Sequence, residues 1–343
     1  VIHLRLVGKT GGSEILIGKP LARLPELVGR ERNAVIVTDE NVARLYATSF
    51  PSWPVVTIPP GEQNKNLPTV LRIYRRFLEL GVDRQWLVVA VGGGVVCDVA
   101  GFAASTYLRG LEIGFVPTTL LAQVDAALGG KNGVNFYGYK NLVGTFRQPR
   151  FVLCDFETLR SLPLQAVRSG LAEVIKAAAI ADRPMFGFLE KNIRSCLNLD
   201  RKAIAAAVAR SCRVKIDIVS RDEQEAGERR KLNFGHTVGH ALEKISRLDH
   251  GEAVAIGMAI AARLSVRKGL LAKEEEARLI RLLKEAGLPV TLRIKPSSLG
   301  RALLKDKKRE NRNIHFVFLS KLGQAVVEKI VPQEIIEAAH DLR

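Results

Sequence analysis

Residues 86–91 form an apolar, β-rich run that leads straight into Gly92-Gly93-Gly94, and Val95-Val96-Cys97-Asp98 then opens a helix. Consecutive glycines let the backbone approach a phosphate closely, and a helix N-terminus offers free N–H groups and the positive end of its dipole. The spacing departs from Gly-x-Gly-x-x-Gly, so the junction reads either as a dinucleotide pyrophosphate cradle or as a tight turn. Asp39 ends an earlier β-rich run, residues 34–38. An acid there either accepts ribose hydroxyls or caps the next helix.

The glycine junction sits in an alternating pattern. Strand-like runs at 55–58, 112–116 and 151–153 accompany a helical stretch at 67–80, where Val70, Leu71, Tyr74, Phe77 and Leu78 share one face. Alternation of this kind predicts α/β, a Rossmann-like parallel sheet with flanking helices. After Pro163 the chain turns Ala-rich, and residues 164–180, 202–220, 232–246, 252–269 and 274–286 read as helices apolar enough to bury one another. Short strands near 314–319 and 325–327 and a final helix follow. At 343 residues two domains are expected: a nucleotide-binding α/β domain over 1–160 and a mostly helical domain over 161–343, with ligands in the cleft between them. There is no internal repeat.

Composition excludes several alternatives. No run approaches the roughly 18 apolar residues of a membrane span. The first nine residues alternate Ile2, Leu4 and Leu6 with His3 and Arg5, which predicts a strand and not a signal peptide. Cys97, Cys154, Cys196 and Cys212 form no Cys-x-x-Cys pair and read as packed, reduced thiols in a cytoplasmic protein. The net charge of +17 is spread along the whole chain, and its densest run, Lys305-Asp306-Lys307-Lys308-Arg309, is short and contains an acid. No nucleic-acid-binding signature accompanies it. The expected partner is therefore a small anion, with neither nucleic acid nor membrane involved.

Two groups of residues carry chemistry. His236 and His240 stand four apart on one predicted helix, and His250 follows just before the next. Glu173 and Lys176 lie one turn apart in an otherwise small, apolar helix, where buried charges need partners. Imidazoles and a carboxylate suit zinc. Spacing alone favours the pair His236 and His240, and leaves open which two histidines bind. The second group is a loop, Gly129-Gly130-Lys131-Asn132-Gly133-Val134-Asn135 with Lys140-Asn141, preceded by Asp125. Lysine and asparagine among glycines form a site for anionic oxygens, or else a flexible surface loop. Lys215 and Arg229 lie close in sequence to the histidines.

Taken jointly, the motifs resemble those of the 3-dehydroquinate synthases, within the sugar phosphate cyclase group, over nearly the whole chain. The matching strings are Pro60-Gly61-Glu62 with Lys65, Gly92-Gly93-Gly94-Val95 with Asp98, Ser105-Thr106-Tyr107-Leu108-Arg109-Gly110, the segment 117–121, Gly129-Gly130-Lys131, Lys140-Asn141-Leu142, Ala172-Glu173-Val174-Ile175-Lys176, Leu232-Asn233-Phe234-Gly235-His236-Thr237, His250-Gly251-Glu252-Ala253-Val254 and Asp306-Lys307-Lys308. The resemblance implies that Glu173, His236 and His250 hold Zn2+ or Co2+, with His240 beside the substrate instead. It implies NAD contacts from Asp39, Asn41, Glu62, Lys65, Gly92, Gly93, Gly94, Val95, Asp98, Thr118 and Thr119. Lys131, Asp125, Lys140, Asn141, Lys176, Lys215, Arg229, Asn233 and Lys307 would surround the substrate, and Arg109 would reach the phosphate in a neighbouring subunit of a homodimer.

The implied reaction converts 3-deoxy-arabino-heptulosonate 7-phosphate to 3-dehydroquinate and phosphate in the shikimate pathway of aromatic amino-acid biosynthesis. It runs through transient NAD-dependent oxidation, phosphate elimination, re-reduction, ring opening and an internal aldol. Competing readings are a cyclase acting on a sugar phosphate without a carboxylate, a polyol or glycerol-phosphate dehydrogenase, and a basic nucleic-acid binder that leaves these motifs unused. Cys97, Asn132 and Tyr139 depart from the usual Gly, Thr and Gly, and Tyr139 bears on the shape of the loop around Lys140.

Overall fold

The computed structural model describes residues 1–29, 31–291, 296–307 and 314–340. The chain divides into two compact units, Val1–Leu162 with Lys215–Gln224, and Pro163–Val214 with Glu225–Arg343.

The first unit contains β1 (Ile2–Gly8), β2 (Gly11–Ile17), α1 (Leu24–Val28), β3 (Ala34–Asp39), α2 (Glu40–Tyr46), β4 (Val55–Ile58), α3 (Leu67–Glu79), β5 (Leu87–Gly92), α4 (Gly94–Thr106), β6 (Glu112–Pro117), β7 (Lys131–Phe136), β8 (Tyr139–Phe146) and β9 (Phe151–Cys154). Among the described residues the strands form a seven-stranded sheet in the order β1-β2-β9-β6-β5-β3-β4, with β7 and β8 as a separate hairpin. Only β1 and β2 pair antiparallel in the large sheet. Its interior strand β5, flanked by β6 and β3, is buried along its whole length, as a strand covered on both faces must be.

Strand order carries a functional consequence. From β3 the chain moves outward to β4, then returns past β3 to β5 and continues to β6 and β9. The direction reverses between β3 and β5, which is where open α/β sheets bind ligands. Thr38 lies opposite Val91 and Gly92 opposite Pro117, so Asp39, Gly92 and the segment after Pro117 share one carboxyl edge. The Thr118 N–H donates to the Gly92 carbonyl at 2.9 Å, closing that edge.

The second unit contains α5 (Leu164–Ala181), α6 (Arg183–Leu197), most of α7 (Arg201–Arg221), α8 (His236–Ile245), α9 (His250–Arg267), α10 (Lys273–Glu285), α11 (Pro296–Lys307), β10 (Ile314–Lys321), β11 (Gln324–Ile330) and α12 (Pro332–His340). A mostly parallel sheet unit followed by a largely helical region is the architecture expected. No helix among the described residues is long and apolar enough to cross a membrane.

Several details differ from expectation. The lysine-rich stretch is the β7–β8 hairpin, closed by Tyr137 and Gly138, both at positive φ, as a two-residue type I′ turn requires. Helix α6 was not anticipated. It is amphipathic, and Asp182 caps it by accepting the Met185 N–H at 2.9 Å. The predicted helix at 232–246 begins only at His236, because Glu228–Asn233 is a 3-10 turn. From Lys215 onward, α7 belongs to the first unit. There Glu223 is buried and accepts the Lys9 N–H at 2.5 Å, the Thr10 N–H at 3.1 Å, the Thr10 hydroxyl and the Gln148 amide at 2.7 Å.

Helices α8 and α9 meet through glycine. Gly235 precedes α8 at φ 81°, a backbone that favours glycine, and a Cβ there would lie 2.8 Å from the Val254 carbonyl oxygen. A Cβ at Gly257 would lie 2.0 Å from the Gly235 carbonyl oxygen. Gly257→Ala should therefore force the two helices apart and lower the unfolding free energy by about 1–3 kcal/mol or more. Chemical denaturation of the variant measures this, and an unchanged midpoint would mean that the contact yields freely.

Candidate functional site

The nucleotide-type residues collect in the first unit. Gly93 is the N-cap of α4 and no side chain caps it, so the first N–H groups of the helix face the carboxyl edge of the sheet. A Cβ on Gly93 would come within 3.1 Å of the Thr119 methyl, and one on Gly94 within 3.2 Å of the Ala126 Cβ. A side chain at either position would crowd these neighbours, and the uncapped helix N-terminus leaves N–H groups able to receive an anion. Val95 is half-buried in the first turn of α4, Thr118 is buried and Thr119 half-buried. Asp98, one turn further, forms an ion pair with Lys65, whose side chain is 6% exposed. Burial raises the Asp98 carboxyl above its usual range and Lys65 opposes that rise. Asp39 caps α2 by accepting the Val42 N–H at 2.9 Å, so its capping role is real, and Asn41 is exposed.

The anion-type residues of this unit come from three places. Asp125 lies in a single π-helical turn, Ala122–Ala126, a form common at functional sites. It pairs with Lys215, which also donates to the Asp125 carbonyl at 2.6 Å. Lys131 opens β7, and Lys140 and Asn141 lie in β8, all three exposed. Arg109 is exposed in the turn after α4, where Leu108 and Arg109 both have positive φ.

The second unit gathers the metal-type residues. Glu173 comes from the middle of α5, His236 is the first residue of α8 and His250 the first of α9. One ligand atom from each lies within 4.8 Å of the others. Glu173 Oε1 is 3.2 Å from His250 Nε2 and 3.6 Å from His236 Nε2. His236 Nδ1 lies 3.2 Å from the Phe234 carbonyl, which makes Nδ1 the protonated nitrogen and turns the Nε2 lone pair toward Glu173. His250 Nδ1 lies 3.2 Å from Glu243, whose side chain is 5% exposed. A carboxylate or carbonyl behind each imidazole is the usual support of a metal-binding histidine. One carboxylate and two imidazoles also match the three-ligand pattern of catalytic zinc.

His240 is not part of this cluster. It is exposed, and its ring meets that of His236 edge-on at 5.3 Å. Lys176 is buried and ion-paired with Glu173. Arg229 is 2% exposed, so it is not a solvated surface residue. Asn233 donates to Glu225 at 2.5 Å, and Glu225 itself sits at φ 63°. The side chain of Lys307, and all of Lys308, lie outside the described residues.

Sequence reasoning missed Glu243 and Glu225, and took Asn135 only as one member of the lysine- and asparagine-rich loop. Glu243 is three residues past His240 on the same helix, a visible signal in retrospect, whereas Asn135 and Glu225 acquire partners only through the fold.

Over its whole length the chain is similar to solved structures of known activity. One is a 2-epi-5-epi-valiolone synthase from Streptomyces hygroscopicus subsp. jinggangensis 5008 with NAD+ and Zn2+ bound, with a TM-score of 0.88, 30% identity and 96% of each chain covered. Another is a 2-deoxy-scyllo-inosose synthase complexed with carbaglucose-6-phosphate, NAD+ and Co2+, with a TM-score of 0.90, 27% identity and 100% of each chain covered. Fold and cluster make this chain a member of the sugar phosphate cyclases. Family models described as 3-dehydroquinate synthase N-terminal and C-terminal match residues 55–169 and 170–309. A 3-dehydroquinate synthase from Pelotomaculum thermopropionicum is 45% identical over 320 residues, covering 92% of this chain and 86% of that one. The chain belongs to the 3-dehydroquinate synthase family.

Electrostatics of the cluster give a measurable proton inventory. Burial, with Lys176 nearby, depresses His236 to about 3, so it is neutral at pH 7. Burial also opposes protonation of His250, but the hydrogen bonds and charges of Glu173 and Glu243 outweigh it and raise His250 to about 10. A metal binds neutral imidazole, so zinc must displace the His250 proton. Zinc loading of the apoprotein at pH 7 should release about one proton per site, and affinity should climb with pH until about 10. Calorimetry in buffers of different ionisation enthalpy reads the count. Zero protons released, or a pH-independent affinity, would contradict this charge state.

Proposed function

We propose that this chain is a 3-dehydroquinate synthase that converts 3-deoxy-arabino-heptulosonate 7-phosphate to 3-dehydroquinate and phosphate, using NAD and one zinc or cobalt ion. The observation that carries the reading is the convergence of Glu173, His236 and His250 within 4.8 Å in a chain of this family. When bound, NAD accepts and returns a hydride while the metal polarises the hydroxyl being oxidised, so the overall reaction is redox-neutral.

The chain's own residues do the rest. Gly93, Gly94 and the α4 N-terminus receive the pyrophosphate, with Lys65 and Asp98 behind them and Asp39 on the same sheet edge. Glu173, His236 and His250 hold the metal, and Glu243 and the Phe234 carbonyl fix the two imidazoles. Lys131, Lys140 and Asn141 take the substrate phosphate. Asp125 holds Lys215, and with Lys176, Asn233 and His240 they orient the sugar and exchange its protons. Phosphate loss, ring opening and the aldol each need a proton moved, and the substrate's two anionic groups explain why so many cations serve one molecule. The four cysteines are buried and outside any disulfide, which suits a reducing compartment, and we assign the chain to the cytoplasm.

Assembly as a homodimer is part of this reading. Arg109 stands exposed beside Leu108, and the hairpin exposes Phe136, Tyr137, Tyr139, Leu142 and Phe146. Apolar surface of that kind favours cover by a second copy. An inactive Arg109→Ala chain mixed with an inactive Lys131→Ala chain should then regain activity, since one site per heterodimer would be intact. Absence of recovery after proven subunit exchange would assign Arg109 to its own subunit.

Substrate choice rests on the carboxylate. A buried carboxylate needs a fixed cation, and the guanidinium of Arg229, itself buried, can grip both oxygens. The enzyme should turn over the heptulosonate phosphate and ignore sedoheptulose 7-phosphate, which lacks that group. Arg229→Lys should lose about 1.5–3 kcal/mol of transition-state binding, read as the fall in kcat/KM. Equal turnover of the two sugars by wild type would replace this activity with that of a related cyclase, and net NADH release would indicate a dehydrogenase.

A further inference from the structure

The β7–β8 hairpin contains a defect with a purpose. Strand pairing runs Lys131↔Phe146 through Val134↔Val143, then resumes at Phe136↔Tyr139. On one strand a single residue, Asn135, fills the gap. On the other, Lys140, Asn141 and Leu142 fill it. The result is a bulge of three residues against one, larger than the usual two against one, and bulges re-aim side chains and leave backbone groups unpaired. Asn141 sits in this bulge at φ 52°. Its N–H, turned out of the ladder, donates to the side-chain oxygen of Asn135 at 2.9 Å.

Asn135 is bonded on its other side as well. Its amide nitrogen donates to Glu62 Oε1 at 2.8 Å. Its backbone N–H donates to the Lys65 carbonyl at 2.8 Å, and it forms an isolated parallel bridge with Asn66. Lys65 in turn is ion-paired with Asp98 of α4, the helix that starts at the glycine junction. One side chain thus joins the segment that carries Glu62 and Lys65 to the bulge that carries Lys140 and Asn141. An amide suits this role: it presents an acceptor to a backbone N–H and a donor to a carboxylate at once, and the two contacts fix which way the amide points.

We propose that Asn135 is a positioning residue that couples the nucleotide-side pair Glu62 and Lys65 to the substrate-side pair Lys140 and Asn141. The proposal rests on the reading that the first pair meets NAD and the second the sugar phosphate. Nucleotide that fixes Glu62 and Lys65 also fixes the amide, and the amide holds the bulge in the shape that presents Lys140 and Asn141. Two ligands that order one connected network favour each other's binding.

The test measures that coupling in the metal-loaded, full-length protein. NAD affinity is determined by calorimetry with and without a saturating heptulosonate phosphate analogue that lacks the oxidised hydroxyl and so binds without reacting. Wild type should bind NAD at least about fivefold more tightly with the analogue present, the lower end of usual coupling. In Asn135→Ala the factor should fall to within about twofold of unity, while each ligand still binds alone. A second pair of variants covers the case in which alanine unfolds the hairpin. Asn135→Asp keeps the acceptor for Asn141 but faces Glu62 with a like charge, and should uncouple the ligands. Adding Glu62→Gln reverses donor and acceptor across the same contact and should restore the coupling. Unchanged coupling in Asn135→Ala or Asn135→Asp, or no coupling in wild type, would overturn the proposal. Failure of wild type to turn over the heptulosonate phosphate itself would overturn the underlying activity and the proposal with it.

Discussion

A carboxylate buried in an apolar helix sets the terms for the helical unit. Glu173 lies in a stretch of α5 where every residue from Gly170 to Ile180 is buried. An isolated charge there would cost far more than a single folded unit can spare. The chain answers with Lys176 one turn away and with two imidazoles brought in from α8 and α9. Bringing them in demands close packing of backbones. A Cβ on Gly251 would lie 2.3 Å from the Ser169 Cα, and the Gly251 N–H donates to the Ser169 hydroxyl at 3.1 Å, which seats the start of α9 on α5. The capping box of Asp249 and Glu252 then begins α9 at His250, so the ligand occupies a fixed first turn.

In the sheet unit the corresponding constraint is register. Parallel pairing puts the ends of β3, β5 and β6 at one level, and the reversal of strand order leaves the space between β3 and β5 open above them. The glycine junction falls at that opening, where helix N–H groups can meet a ligand.

This contrast explains what could be read from the sequence. The glycine junction, the α/β alternation and the Ala-rich helices are local patterns, and local patterns survive reading without a structure. The histidine pairing is not local. Spacing selected His236 and His240 because both lie on one helix, but α8 begins at His236, and His240 is carried one turn on to an exposed position. His250, fourteen positions later, returns to within 5.4 Å of the His236 ring by the packing of a second helix. The hairpin was read as a loop because its glycines and its bulge interrupt strand alternation, and because only the second residue of its turn, Gly138, announces positive φ. Asn135 stood in the sequence only as one member of the loop with Lys140 and Asn141, because its partners Glu62 and Lys65 lie in a segment that sequence gives no reason to bring beside it.

Helix α7 has a consequence for how this polypeptide can be divided. Residues 215–224 follow a helical segment of the second unit, yet they belong to the sheet unit, where Glu223 satisfies two backbone N–H groups of the β1–β2 turn and the buried Gln148 amide. The sheet unit is therefore discontinuous in the gene. Cutting the chain after residue 162 would yield a first fragment that lacks a buried acceptor for these donors and lacks Lys215 opposite Asp125. Splitting the protein into two separately expressed halves, routine for many enzymes with a nucleotide unit and a catalytic unit, would succeed here only if those ten residues were returned to the N-terminal piece.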